Sequence, residues 1–228
     1  MSEKRQNFLT LIRTIFQQIF DNKLDIKNIA NTGLKNSEQS FENQVKKILI
    51  DNNFQEIEKE DLRKQFSKVL TKQQKTKKPI HFGHVDFDND LTGNYFIKNP
   101  FGTQAPPDFI LLHHNCNPVY LECKSGVKPV WNCSLPNDHT VYLYNSSNKN
   151  NKSTTYIFLS RHVITPENKQ LMEEIHQQVK NLVAEKLKNS NNSDNFTYYP
   201  RPMYNQIKML DEKDREAMYN DVLFKLEQ

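Results

Sequence analysis

The sequence predicts an α/β fold, because segments with helical periodicity enclose a middle region of short, β-rich runs. Apolar residues recur every three or four positions near the N-terminus and again after Pro166. Between these regions, short apolar runs alternate with clusters of turn-forming residues. At 228 residues the chain is long enough to bury a substantial core within one domain. We therefore expect strands at the centre and helices around them.

Two amphipathic helices are predicted in the N-terminal part. The first covers residues 5–20, and its apolar side chains share one face: Phe8, Leu11, Ile12, Ile15, Phe16 and Ile19. The second begins with Ser37 as its N-cap and ends near Asn52, with an apolar stripe of Phe41, Val45, Ile48 and Leu49. Residues 25–36 are predicted as a loop or short helix, and residues 59–78 as a helix-prone segment that ends in a basic run.

The predicted strands follow in the middle of the chain. Six short runs have strand character: 80–87, 94–98, 109–112, 119–121, 141–144 and 155–159. A polar turn at 113–118 separates the third run from the fourth and predicts a β-hairpin. The Asn-, Ser- and Lys-rich stretch at 145–153 predicts a mobile loop between the last two runs.

A further amphipathic helix is predicted to begin at Pro166, with Thr165 as its N-cap. Its apolar residues are Leu171, Met172, Ile175, Val179, Leu182, Val183 and Leu187. A polar linker at 189–195 and an aromatic, proline-broken segment at 196–204 lead to a terminal helix at 211–226. We expect one domain over 1–228, composed of a helical N-terminal part at 1–78, a core at about 37–188 and a C-terminal helical extension at about 196–228.

The composition of the chain indicates which partners and which cellular compartment the protein is suited to. The net charge of +4 and the pI of about 8.8 are compatible with a polyanionic partner. Three cysteines, an odd number without paired spacing, argue against a disulfide framework and for a reducing compartment. No apolar stretch approaches the ~20 residues that span a bilayer, and no signal peptide opens the chain. We therefore expect a cytoplasmic protein without a membrane partner.

The predicted hairpin carries two carboxylates and an ammonium group. Asp108 stands at the start of its first strand, and Glu122 and Lys124 stand near the end of its second. Because side chains alternate along a strand, Glu122 and Lys124 share one face while Cys123 points to the other. Two carboxylates on neighbouring strands suit a hard cation such as Mg²⁺, and the lysine is left to orient or polarise a water. This set suits metal-assisted phosphodiester hydrolysis.

The motif resembles that of a known group of nucleases. Pro107-Asp108 followed by Glu122-Cys123-Lys124 is similar to the signature of the PD-(D/E)xK nuclease superfamily, and most closely to the type II restriction endonucleases. The segment Gly102-Thr103-Gln104 precedes the motif, and a Lys-Pro-Val-Trp-Asn block at 128–132, closed by Leu135-Pro136, follows it. Similar blocks flank the motif in a subset of restriction enzymes.

The resemblance implies a mixed central β-sheet flanked by helices, which is a restriction-endonuclease-like core. It also implies Mg²⁺-dependent, sequence-specific cleavage of double-stranded DNA, with Mn²⁺ as a possible substitute. A homodimer, a prokaryotic host and functional pairing with a cognate DNA methyltransferase follow from the same comparison. Asp108 and Glu122 would hold the metal together with the backbone carbonyl of Cys123, and Lys124 would position the attacking water.

The resemblance implies two further residues that would support the site, because in that family a glutamate on the helix before the strands often reaches the metal. Gln104 lies in the segment that leads into the motif, and Glu42 lies beside Phe41 at the edge of an apolar helical stripe, where it can face inward. A solvated position near the helix N-terminus, favoured by the helix dipole, is an equal alternative for Glu42.

Two segments are candidates for DNA contact: one offers Lys128, Trp131, Asn132 and Ser134, and the other offers Arg201, Asn205 and Lys208. Asparagine can pair with adenine and lysine can donate to guanine. The same side chains can also bind phosphates. Phosphate contacts fix the position of a protein along the DNA but carry no sequence information. Trp131 is more typical of a core anchor than of a base-stacking platform.

Other interpretations of these residues remain. Asp108 fits an ordinary turn at a strand start, and Glu122 with Lys124 fits a surface charge pair. His113-His114 with Cys116 lacks a second ligand pair for zinc and is interpreted as a turn. The alternative functions are a PD-(D/E)xK nuclease of DNA repair or junction resolution, and a non-catalytic DNA-binding module. The pair His81 and His84 lacks the sequence context of another metal-nuclease motif.

Overall fold

A computed structural model describes residues 3–21, 37–58, 93–100, 106–113, 116–126, 128–132, 135–147, 153–188, 198, 203–206 and 210–228. Several predicted features lie outside these ranges: the loop or short helix at 25–36, the basic run at 72–78, the strand at 80–87 and the linker at 189–195. Gln104, Ser134, Arg201 and Lys208 also lie outside them.

The described chain forms helices at both ends and strands between them. In chain order the elements are α1 (Glu3–Phe20), α2 (Ser37–Asp51), β1 (Phe54–Glu56), β2 (Asn94–Lys98), β3 (Phe109–His113), β4 (Val119–Gly126), β5 (Val130–Asn132), β6 (Thr140–Ser147), β7 (Ser153–Phe158), α3 (Pro166–Lys188), β8 (Met203–Asn205) and α4 (Arg215–Glu227). Short 3-10 turns at Ser160–His162 and Glu212–Asp214 precede α3 and α4.

Six strands form one mixed sheet in the order β1-β2-β3-β4-β6-β7. The β1–β2 and β4–β6 pairs are parallel, and the other neighbours are antiparallel. Because β4 and β6 run in the same direction, the chain between them must return to the starting end of the sheet. Strand β5 lies in this return and pairs with β8 as a separate two-stranded ribbon. The predicted α/β class, with a mixed sheet flanked by helices, is confirmed.

The sheet has a packed core on each face. On one face, α1, α2 and α4 pack against strand residues that include Phe109, Leu121 and Leu143. On the other, Trp131 of β5 packs with a smaller aromatic cluster: Tyr142, Tyr144, Tyr156 and Phe158, joined by Met218. Four consecutive residues of β3, Phe109–Leu112, are buried, so this strand is covered on both faces. This explains why its sequence is a continuous apolar run and not an alternating one.

The structure confirms most predicted elements and corrects two. The stretch 145–153 was expected as a loop, but Asn145–Ser147 belong to β6 and Ser153 to β7. A hydrogen bond from Asn145 Nδ2 to Thr155 Oγ1, 3.1 Å long, satisfies these buried polar groups inside the sheet. The terminal helix begins at Arg215 and not at residue 211, because Asp211 caps a 3-10 turn by accepting from the Lys213 N–H.

The N-cap prediction for α3 is confirmed, since the backbone N–H of Asn168 donates to Thr165 Oγ1 at 3.3 Å. Strands β1, β5 and β8, each three residues long, were not predicted. Of the helices in the described ranges, none combines the length and apolar character that a bilayer crossing requires.

Candidate active site

The β3–β4 hairpin places the two carboxylates of the motif opposite each other. Its antiparallel register pairs Phe109 with Leu121. Extending the register by one residue sets Asp108 against Glu122. The hairpin is held at this end by a hydrogen bond from the Cys123 N–H to Asp108 Oδ2, with 2.6 Å between the heavy atoms. Asp108 is thus fixed beside the second half of the motif.

Glu122 and Lys124 lie on the same face of β4, as their spacing predicts. Lys124 Nζ is 2.7 Å from Glu122 Oε1, and it also lies 5.8 Å from the centre of the Trp131 ring. Cys123 points to the opposite face, where it is buried in the core under the helices. The ion pair is largely shielded from water, with side-chain exposures of 15% for Lys124 and 9% for Glu122. The alternative of a solvated surface charge pair therefore does not describe it.

Burial makes the charge on Glu122 unfavourable. The pKa of Glu122 is raised to about 7, first by loss of solvation and then by the nearby negative charge of Asp108. Glu42 raises this pKa further, whereas Lys124 lowers it through its charge and hydrogen bond. The second carboxylate oxygen of Glu122, Oε2, is buried and has no hydrogen-bond partner among the described residues. A buried, partly unsatisfied carboxylate of this kind is typical of functional sites.

The side chain of Cys123 is not suited to nucleophilic attack. Its thiol pKa is raised well above the usual value, mainly by burial and secondarily by the charges of Asp108, Glu42 and Glu122. A thiol with a raised pKa stays protonated and unreactive at neutral pH. The backbone of Cys123, and not its sulfur, is the part that takes part in the site.

Glu42 faces the site and not the solvent. Its side chain is 13% exposed, and Oε2 lies 3.8 Å from Nζ of Lys98 at the end of β2. Lys98 also donates to Asn43 Oδ1 at 2.9 Å. Of the two interpretations of Glu42, the inward-facing one is therefore supported. Sequence reasoning missed Lys98 and Asn43, because neither belongs to a motif and both enter through the packing of α2 near β2.

The oxygen donors of the site fit a hard divalent cation. Asp108 and Glu122 supply carboxylates, and Glu122 Oε2 is a buried acceptor that a cation would satisfy. Within the described residues, no three His, Cys, Asp or Glu side chains are gathered closely enough to hold a metal by themselves. Mg²⁺ commonly takes only one or two carboxylates and completes its shell with water and substrate phosphates. The two residues therefore fit Mg²⁺ as a shared site with a phosphate ligand.

The structure brings the two candidate DNA-contact segments together. In the β5–β8 ribbon, Asn132 pairs with Met203 and Val130 pairs with Asn205. Trp131 is 5% exposed and packs edge-on against Tyr142, with 4.9 Å between ring centres. Trp131 is therefore a core anchor, and its assignment as a DNA contact is corrected.

Other candidates have plainer roles or lie elsewhere. Lys128 is exposed just before β5, whereas Gln104, Ser134, Arg201 and Lys208 lie outside the described residues. His113 Nδ1 is 3.0 Å from the carbonyl oxygen of Gly93, and its ring stacks on Phe8 at 5.4 Å. His113 is therefore the last residue of β3 and not the first residue of the turn, and both of these contacts are structural ones.

In comparisons with known proteins, the chain matches no family model, no curated protein and no solved structure. The function is therefore inferred from the site itself.

Proposed function

We propose that this protein is a Mg²⁺-dependent endonuclease that cleaves double-stranded DNA at specific sequences, in the manner of a type II restriction enzyme. The observation that carries the proposal is the group formed by Asp108, the buried Glu122 and the partly buried Lys124 at the end of the β3–β4 hairpin. Extending the strand register by one residue sets Asp108 against Glu122, the charge of Asp108 acts on Glu122, and Lys124 Nζ lies 2.7 Å from Glu122 Oε1. The buried oxygen Oε2 of Glu122 has no hydrogen-bond partner among the described residues, and a bound cation would satisfy it.

Each residue has a distinct role in the proposed reaction. Asp108 and Glu122 would hold Mg²⁺, which when bound supplies positive charge to the scissile phosphate and to the attacking water. Lys124, already hydrogen-bonded to Glu122, would orient the water and offset negative charge that develops on the phosphate. Glu42 would be an outer residue of the site, because its charge acts on Glu122 and its side chain lies 3.8 Å from Lys98 Nζ.

The β5–β8 ribbon is the proposed DNA-reading element. It follows the catalytic strand directly in the chain, and its Trp131 lies beside Lys124. Asn132 and Asn205 occupy strand positions that alternate with the buried Trp131 and with Tyr204. The major groove of DNA admits a two-stranded β-ribbon, and asparagine can pair with adenine there. A ribbon of this kind would read bases while Asp108 and Glu122 engage the phosphate.

The test is incubation of the purified protein with phage and plasmid DNA in the presence of Mg²⁺, followed by gel electrophoresis. Discrete bands are expected, and sequencing of their ends gives the recognition site. Preference for branched DNA would instead identify a junction-resolving or repair nuclease with the same motif. A mobility shift without cutting in any divalent metal would contradict catalysis and identify a DNA-binding module.

A further inference from the structure

Helix α3 carries an apolar stripe that the rest of the described chain leaves uncovered. The helix has 23 residues and none of them is buried. Five large apolar side chains on it are between 37% and 54% exposed: Leu171, Met172, Ile175, Val179 and Leu182. A contiguous stripe of this size on a helix is the kind of exposed patch that marks an interaction site.

The side of α3 that touches its own chain is a different one. Lys169 forms an ion pair with Asp138 at 3.3 Å, and the charge of Glu173 acts on Tyr204. The half-buried positions of the helix recur at helical spacing along this side: Lys169, His176, Lys180, Val183 and Leu187. The helix therefore rests on the body of the protein by a largely polar side and presents its most apolar side outward. This is the reverse of the usual arrangement in a monomeric protein.

The spacing of the stripe fits pairing with another helix. Met172, Ile175, Val179 and Leu182 are separated by three, four and three residues, which is the a/d pattern of a coiled-coil seam. We propose that α3 pairs in antiparallel orientation with α3 of a second copy of this chain, forming a two-fold symmetric dimer. In this pairing Met172 lies against Leu182 of the partner subunit, and Ile175 lies against Val179 of the partner subunit.

The charges along α3 favour a second copy in antiparallel orientation. The half before Gln177 has three glutamates and one lysine, and the half after it has three lysines and one glutamate. Antiparallel pairing places each acidic half beside a basic half, whereas parallel pairing places like halves together. The seam continues to Lys186, which parallel pairing would set against its own copy. A self-complementary surface of this type generates a closed dimer.

The size of the stripe sets the expected strength of the pairing. A helix of 23 residues is about 35 Å long and about 10 Å wide. The total surface area that two such faces would bury is near or below the ~1,000 Å² that a stable specific interface usually needs. Dimerisation is therefore expected to depend on concentration in the micromolar range. The inference does not depend on the nuclease proposal, since it uses no residue of the candidate active site.

The test is sedimentation equilibrium of the full chain from about 1 μM to about 100 μM, a range chosen to bracket a micromolar dissociation constant. The wild-type protein should change from monomer to dimer across this range. Ile175→Glu and Leu182→Glu should each raise the dissociation constant at least about tenfold, because each places a charge in the apolar seam.

Ala184→Glu is the matched control, since it adds the same charge to an exposed position of the same helix outside the stripe. It should leave dimerisation unchanged, and circular dichroism should show that all three variants are folded. A monomer at about 100 μM, or a dimer that survives both seam substitutions, would overturn the proposal.

The orientation is tested by cysteine cross-linking in a Cys116→Ser, Cys133→Ser background, in which only the buried Cys123 remains. Gln178 lies beside the two-fold axis of the antiparallel pair, so Gln178→Cys should oxidise to a cross-linked dimer. Val179 would face its own copy only in a parallel pair. Faster cross-linking of Val179→Cys than of Gln178→Cys would exclude the antiparallel arrangement.

Discussion

Asp108 accepts a hydrogen bond from the backbone N–H of Cys123, with 2.6 Å between Oδ2 and the nitrogen. Because Cys123 lies between Glu122 and Lys124, this bond aligns the first half of the motif with the second. The alignment of the site thus depends on an acceptor at position 108, whereas the proposed metal binding would depend on the negative charge of Asp108. The two roles can be separated by substitution.

Asp108→Asn and Lys124→Ala are each expected to lower the rate of DNA cleavage by at least about 10³-fold. Asparagine keeps an acceptor for the Cys123 N–H but removes the charge that holds the metal. Alanine at position 124 removes the group that orients water. Each effect corresponds to several kcal/mol of transition-state stabilisation. The measurement is the rate of plasmid linearisation under single-turnover conditions, with thermal unfolding to show that the fold is retained.

The matched control is the Lys47–Asp51 pair, whose side chains are 75% and 54% exposed. Lys47→Ala and Asp51→Asn make the same chemical changes in an ion pair on the surface of α2, and both should cleave at the wild-type rate. Cleavage by either site variant within tenfold of wild type would refute the assignment of that residue.

Cleavage is expected to require Mg²⁺ or Mn²⁺. Ca²⁺ should support DNA binding without turnover, because its larger and more flexible shell positions water poorly. The measurement is a metal series in which each sample is divided between a cleavage assay and a mobility-shift assay. Full activity in EDTA would contradict the mechanism, and so would undiminished turnover in Ca²⁺.

Glu122→Gln is expected to stabilise the metal-free protein at alkaline pH while abolishing cleavage. The pKa of Glu122 in the folded protein is about 7, raised from 4.5. Below pH 4.5 the carboxyl is protonated in both states and carries no ionisation cost. As pH rises toward 7, the unfolded state loses the proton first, so folding stability falls. Above pH 7 the cost is constant and on the order of 3 kcal/mol, and glutamine removes it.

The measurement is urea unfolding of both proteins in EDTA at about pH 5 and about pH 8, on either side of the folded pKa. The stability gain of Glu122→Gln should be clear at the higher pH and small at the lower one. An equal gain in folding stability at both pH values would show that Glu122→Gln acts through packing and not through charge. Added Mg²⁺ should stabilise the wild type only.

The sequence predicted the β3–β4 hairpin because the signals for this hairpin are local. Continuous apolar runs on both sides of a polar turn specify two buried antiparallel strands. Strand alternation then determines that Glu122 and Lys124 share a face and that Cys123 enters the core. Helical periodicity also located α3, but periodicity shows only that an apolar stripe exists and not what covers it.

The features that could not be predicted from the sequence depend on contacts between distant parts of the chain. Strand β5 has three residues, which is too short for a periodic signal, and its partner β8 lies about 70 positions later. The hydrogen bond between Lys98 and Asn43 joins residues 55 positions apart. The orientation of the Glu42 side chain could not be predicted for the same reason. It is set by how α2 packs on the sheet and not by the neighbours of Glu42 in sequence.

Asn132→Ala is expected to weaken binding to the recognised sequence by roughly 1–3 kcal/mol and to leave binding to random duplex unchanged. Asn132 lies in the strand that follows Lys124 in the chain, and it pairs with Met203 across the β5–β8 ribbon. A base contact there would be lost only on cognate DNA, whereas a phosphate contact would be lost on every sequence.

The measurement is the dissociation constant for both duplexes in Ca²⁺ at one salt concentration. Asn117→Ala, an exposed position in the turn at the other end of the hairpin, should bind both duplexes as the wild type does. Equal weakening of both duplexes by Asn132→Ala would assign the residue to the DNA backbone or to the fold, and would remove it from sequence recognition.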